Sequence, residues 1–494
     1  MKLLITIMSS LLLMLQMTGQ AVEELENNPQ SPTTSTTDIN NLINSYKMAL
    51  EKDDMEDVVS IANDLIENFV ASNDHEIINT LLLKNEFNNT FLHYAVYSGS
   101  NDIIKKTINA LKDEHKELLE KLLMTKYNNN STFLHIAAKD FLNDRSDVIK
   151  TTINALIEHK QIALLEEVLM ATDNYDNTFL HEAALIGNGN IIQTTINALN
   201  TDKHGSLLKK QLFDAKAHGG RTMLHYAAAN DNNNFIRTTI HSLYNEPEIM
   251  KNLLLAVNED GHTFLHEAAM YYNSNIIQTT INTLIEYKQK ALLEKLLMPI
   301  NDDDETFIFW AADNENSDII QKTINALIEN KQIALLEKLL VAKKNGRNTF
   351  LHEAAYHGYN DIIQKTIDAL KMTNINLLKK LLLSVDKSGG TFLHSAAESH
   401  FGYLPGIIRI TSNMFKDNHS QFLKRLLMSV DYSDHTFLHR EAIHNGINFI
   451  DHIHQILKQN FDVQFIDDTQ LFSLKNRVHY QLLHIIQKAK YLLM

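Results

Sequence analysis

The chain has 494 residues, 44% of them apolar and 21% charged, with 5 Pro, 15 Gly and no Cys. That composition excludes a disordered chain, and the missing cysteine excludes disulfides, thiolate metal sites, a Cys nucleophile and a lipid-bearing Cys. The formal net charge of −15, from 60 acidic and 45 basic residues, repels phosphate backbones, so no nucleic-acid partner is expected.

In chain order, Met1 and Lys2 form a short basic start, and an apolar run follows from Leu3 to about Met17. Gly19 and Ala21 supply the small residues of a cleavage site ahead of Glu23 and Glu24. Residues 1–21 therefore read as a Sec-type signal peptide, with an uncleaved anchor as the alternative. The run is shorter than the roughly 20 residues of a membrane span, and no later stretch is long enough, so no membrane span is expected in the mature chain. Residues 22–38, with Asn27-Asn28-Pro29 and a Ser/Thr cluster, read as a flexible linker. Residues 39–89 are expected to form an N-terminal helical cap: Val58, Val59, Leu65 and Ile66, then Ile77 to Leu83, follow blocks that recur later.

From Thr90 to about residue 446 the chain repeats. The phrase Thr-Phe-Leu-His-x-Ala-Ala starts at Thr90, Thr132, Thr178, Thr222, Thr263, Thr306, Thr349, Thr391 and Thr436, at spacings of 41 to 46 residues. A fixed period of this size indicates a solenoid or array. Each unit has three blocks. In the first, Thr178 suits an N-cap, Leu180, Ala183 and Ala184 share one helical face, and Gly187 suits a left-handed stop. The second, Ile-Ile-Gln-Lys-Thr-Ile-Asn-Ala-Leu at 319–327, keeps its apolar residues on one face. The third, Ala-Leu-Leu-Glu-Lys-Leu-Leu at 291–297 and 334–340, is helical by propensity. No block alternates like a strand. After Gly446 the pattern decays, and residues 447–494 are expected to form a C-terminal helical cap, because an open end would expose apolar surface.

The phrase resembles the ankyrin signature Thr-Pro-Leu-His-x-Ala-x-x-x-Gly, with Phe in place of Pro in eight units and Met223 in the other. The resemblance covers residues 90 to about 446 and implies an all-α, ankyrin-like helical repeat solenoid of nine elongated units with helical caps. Unit length departs from the usual 33 residues, which leaves a HEAT- or armadillo-like superhelix as the alternative and puts the ankyrin β-hairpin in doubt.

Motif histidines occupy positions 93, 135, 181, 225, 266, 352, 394 and 439. Packed helices lie about 8–10 Å apart, too far for equivalent histidines to share an ion whose ligands sit at about 2.1 Å. The resemblance implies instead that each imidazole hydrogen-bonds around the turn and ties units together. The C-terminal histidines and the run Asp302-Asp303-Asp304-Glu305 lack metal-site spacing. No nucleotide-binding, hydrolase or zinc-protease motif occurs. No enzyme, cofactor or metal is expected.

The resemblance places a protein-binding surface on the concave side, at residues that vary after the Ala-Ala pair. Tyr97, Ile186, Met270, Tyr271, Tyr356 and His357 are the candidates, with Trp310, the only Trp, beside the Phe309 that replaces a motif histidine. A monomeric interaction scaffold follows. The signal sequence and Asn/Ile-rich composition are similar to those of exported ankyrin-repeat proteins of intracellular bacteria, some of them host-directed effectors. A structural scaffold of the periplasm or envelope and an enzyme site in the repeat groove are the competing classes.

Overall fold

The computed structural model describes residues 36–112, 115–140, 142–298, 305–399, 401–415, 420–445 and 448–460. The expected signal peptide, linker residues 22–35, the acidic residues Asp302 to Asp304 and the expected cap beyond Asn460 lie outside them. Every regular element among the described residues is a helix, and β-pairing is confined to isolated bridges such as Ala217 with Arg221. No helix among them is long and apolar enough to cross a membrane.

The chain divides into two compact units, residues 1–128 and 129–494. In the first, helices Thr36–Glu51, Met55–Ser72 and His75–Leu81 precede the repeat that starts at Thr90. The helix Thr36–Glu51 begins inside the stretch expected to be linker, and no repeated block announces it. Ile39, Ile43, Tyr46 and Leu50 bury one face of it at i, i+4, i+7 and i+11. Its neighbour Met55–Ser72 starts at Asp54, whose carboxylate accepts from the Asp57 amide, and stops at Asn73, which is left-handed with φ 54°.

The second unit carries the other eight repeat starts. Each of the seven repeats from Thr132 to Thr391 gives three helices, for example Phe264–Met270, Ser274–Glu286 and Lys290–Leu297, and two are described in the repeat at Thr436. First helices pack on the first helices of adjacent repeats and second on second; the third packs on the second helix of its own repeat, except Pro247–Leu254, which packs on the third helix Gly205–Asp214 of the repeat before. All eight motif phenylalanines are at most 1% exposed. Phenylalanine thus replaces a turn-stiffening proline with a core anchor at the first helical position.

Polar groups inside the array are satisfied locally. The threonine of the second block is fully buried, and its hydroxyl donates to the carbonyl four residues back: Thr280 to Ile276 at 2.8 Å, Thr366 to Ile362 at 2.7 Å. Asparagines ahead of the second helix reach the preceding repeat. Asn273 Nδ2 donates to the Ala228 and Ala229 carbonyls at 2.7 and 3.0 Å, and Asn232 does the same to Ala184 and Leu185. Those carbonyls end a first helix and have no partner within it. Successive inter-repeat turns are joined at their tips by single backbone bonds, His218 N–H to the Tyr175 carbonyl and Glu259 N–H to that of Gly219. A two-stranded finger is absent from the described residues, but its tip-to-tip contact survives.

Truncating Phe264 to Ala removes a fully buried ring and should lower stability by about 3–5 kcal/mol. Denaturant unfolding followed by circular dichroism checks this; an unchanged midpoint would show that the ring anchors nothing.

Candidate functional site

The motif threonine and histidine form a reciprocal cap. The threonine hydroxyl accepts from the histidine backbone N–H, and histidine Nδ1 accepts from the threonine backbone N–H at 3.0–3.2 Å in all eight histidine-bearing repeats. With Nδ1 an acceptor, the ring proton belongs on Nε2. In the second unit that Nε2 donates to the carbonyl just before the next threonine. His135 reaches Asn177 at 2.8 Å, His225 reaches His262 at 2.9 Å, and His394 reaches His435 at 3.1 Å. His181, His266 and His352 make the same contact at 3.2–3.4 Å with Arg221, Glu305 and Gly390.

Burial pushes the pKa of His93, His181, His225, His266 and His352 down to about 4, and it lowers that of His394 and His439. These shifts favour the neutral ring; His181, His225, His266, His352 and His394 are committed on both nitrogens, while His93 is held at Nδ1 and its buried Nε2 has no partner. Where Phe309 replaces the histidine, the buried Thr306 hydroxyl has no partner.

Chemistry is displayed instead by the residues around this frame. Tyr97, Met270, Tyr271 and Tyr356 are 41, 39, 47 and 42% exposed. His357 is also exposed, while Ile186 and Trp310 are half-buried. Tyr97 belongs to the first unit and the other six to the second. Exposed apolar side chains also occur at Leu142, Tyr175 and Tyr432, in loops the sequence did not single out.

A second variable position lies directly after the histidine, and of its occupants only Trp310 stands out in the sequence. It faces the turns between repeats and carries Glu182, Tyr226, Glu267, Trp310, Glu353 and Arg440 in different repeats. Glu182 takes Lys139 of the repeat before at 3.2 Å. Glu267 takes Arg221 through two bonds, at 3.1 and 3.3 Å, and Asn258 at 3.3 Å. Burial raises the pKa of both glutamates, and their basic partners oppose the shift. Trp310 donates to Glu305 at 3.2 Å and sets its ring edge-to-face on His262, with centroids 4.4 Å apart. Glu305 also pairs with Lys344, and Arg440 with Asp431 and Glu398. Between Arg221, His262, Glu267, Met270 and Trp310 lies a cavity of about 250 Å³, large enough for one side chain of a partner.

In the next repeats Asp313, Glu353 and His357 converge, with one ligand-type atom from each within 4.8 Å of the others. The variability of the frame's flanking positions was the available signal for this strip. Its partners across repeats were not readable, because they depend on how one first helix sits on the next.

No family model matches the chain, and no curated protein matches it. Solved structures do match. One is the crystal structure of the ankyrin repeat domain of Bcl-3, described as a unique member of the IkappaB protein family. It is 17% identical, with a TM-score of 0.35, and the match covers 55% of this chain and 95% of that one. The superposition is loose, and the helical-repeat architecture rests on the chain's own helices.

The buried histidines tie stability to pH. Between pH 6.5 and 4 the unfolded chain binds protons at these rings that the folded chain does not, so stability rises with pH across that window. The contribution is complete above 6.5 and is lost as pH falls toward 4. Glu441 acts in the opposite sense: burial pushes it up to about 7, so its contribution exists at acid pH and fades as pH rises from the usual carboxylate range to 7. Glu182, Glu267 and Asp313, whose carboxyls burial also raises, act in the same sense as Glu441, and the more numerous histidines, five of them held near 4, outweigh these four carboxyls. Denaturant midpoints should therefore drop steeply from pH 6.5 to 5, and His352→Asn should lower the midpoint at neutral pH while flattening that slope. A level profile over this range would contradict buried neutral imidazoles.

Proposed function

We propose that the chain is an exported, non-catalytic interaction scaffold of ankyrin-repeat type, which holds a partner protein against the strip that flanks the repeat motif. One observation carries the reading. The repeated ionisable residue, histidine, is tied to the scaffold through Nδ1 in every repeat that carries it, while exposed aromatic side chains stand at positions that differ between repeats. Catalysis needs convergent groups free to act; recognition needs a rigid frame with variable display. Met270, Tyr271 and Tyr356 offer apolar anchors of the kind that dominate binding energy, beside the cavity at Trp310 and the charged pairs of Glu267 and Glu305. The acidic net charge disfavours nucleic acid and favours a partner with a basic or neutral contact surface.

Export rests on the amino-terminal run and its small-residue cleavage pattern. Delivery to a host cell extends this by analogy with the exported ankyrin-repeat proteins that the sequence resembles. Fractionation of the native source distinguishes release into medium or host from retention in the envelope, and envelope retention would favour a structural scaffold.

Residues 22–494 used as bait should retain a specific protein that the double variant Tyr271→Ala, Tyr356→Ala loses by about tenfold or more, the size expected for two aromatic anchors. Both baits must show the same helical content. Identical catches from the two would refute the assignment of the surface.

A further inference from the structure

Asp313 ends the helix Phe307–Asp313, and Glu353 and His357 lie four residues apart on the helix Phe350–His357 of the following repeat. Four residues make slightly more than one turn, so both side chains leave the same face. The two helices pack together, which sets Asp313 opposite that face. Two carboxylates and an imidazole thus meet within 4.8 Å. A tetrahedral zinc ion bound at about 2.0–2.2 Å holds its ligands roughly 3.4 Å apart, so side-chain movement on the order of 1 Å closes the group around an ion.

The surroundings differ from those of an ordinary acidic patch. One donor is an imidazole, which selects transition ions over calcium or magnesium. Asn348 Nδ2 donates to Glu353 Oε1 at 3.0 Å and so orients that carboxylate. The Tyr359 ring stacks on His357, with centroids 5.5 Å apart at 21°, and its hydroxyl donates to the Asp313 carbonyl at 3.5 Å. One tyrosine therefore braces both sides of the group. The nearby Lys344 ammonium pairs with Glu305 and also lies in the field of Asp313 and Glu353.

We propose that Asp313, Glu353 and His357 form a binding site for a divalent cation of the zinc class, with three protein ligands and one position open to water. The site spans two repeats, so the ion ties one first helix to the next. It stands whether or not the neighbouring strip binds a protein. No local sequence pattern marks it: 40 and 44 positions separate Asp313 from its partners, and only stacking of repeats joins them.

The test is calorimetric titration of the metal-stripped chain with Zn²⁺ at neutral pH, repeated with Co²⁺ to read the visible spectrum of the bound ion. A saturable site is expected, with affinity reduced about tenfold or more in Asp313→Asn and in His357→Gln. The exposed His204→Gln serves as control and should leave it unchanged. The Co²⁺ band of the native chain should disappear in His357→Gln, and excess Ca²⁺ should not displace Zn²⁺. Thermal unfolding verifies that each variant is folded. Wild-type affinity in both ligand variants, the same loss in the control, or equal competition by Ca²⁺ would each overturn the site. Absence of a Co²⁺ band in the native chain would do so independently of any variant.

Discussion

Six motif imidazoles, from His135 to His394, work through both of their nitrogens. Nδ1 accepts the amide of the threonine that starts its own helix, and in the second unit Nε2 donates to the last carbonyl before the next threonine. One neutral ring thereby fixes the direction in which a helix begins and the register between that helix and its neighbour. Charge on the ring would destroy this, because a protonated Nδ1 cannot accept. Burial supplies the condition: desolvation disfavours the imidazolium and holds the ring in its two-sided form. The packing of first helices on one another depends on that single protonation state.

The exception shows what the bond contributes. At Phe309 the ring cannot accept, and the buried Thr306 hydroxyl is left without a partner. An unmet buried hydroxyl costs on the order of 1–3 kcal/mol. Phe309 offsets part of this by near-complete burial of an aromatic side chain. Trp310, next in sequence, is held from outside by Glu305 and His262. The repeat that lost its polar tie is thus also the one whose first helix is gripped from the groove side. A scaffold built from nearest-neighbour contacts tolerates such a local exchange, since each interface contributes separately.

Helix type and boundaries in the array were legible because three independent signals coincide there: a capping threonine, apolar residues at helical spacing and a breaker. Two kinds of feature were not. The helix Thr36–Glu51 lacks the repeated blocks and follows a polar Ser/Thr-rich stretch, so its burial of Ile39, Ile43 and Tyr46 emerges only from packing on the next helix. The polar strip was hidden for a different reason. Glu182, Glu267 and Glu353 look like solvent-facing helix residues, yet two of them are nearly buried because an inter-repeat turn covers them. Their partners Lys139, Arg221 and Asn348 belong to another repeat or to the turn ahead, and no local pattern encodes that pairing.

This division of labour explains how the repeats can diverge without losing the fold. The energy that holds adjacent repeats together lies in buried phenylalanines, alanine contacts, the histidine tie and the asparagine bonds to helix-ending carbonyls. None of these uses the side chain at the position after the histidine or the side chains that end the first helix. Where the pair is exposed, substitution there typically costs less than about 1 kcal/mol, whereas removing one partner of a pair with a nearly buried carboxylate, such as Arg221 with Glu267, costs more. Charge, aromaticity and ligand atoms can accordingly vary from repeat to repeat: Arg221 with Glu267 in one place, Trp310 with Glu305 in the next, Asp313 with Glu353 and His357 after that. Adjacent repeats hold such pairs at a fixed spacing, so a binding surface can be composed from small local choices while the frame beneath it stays the same.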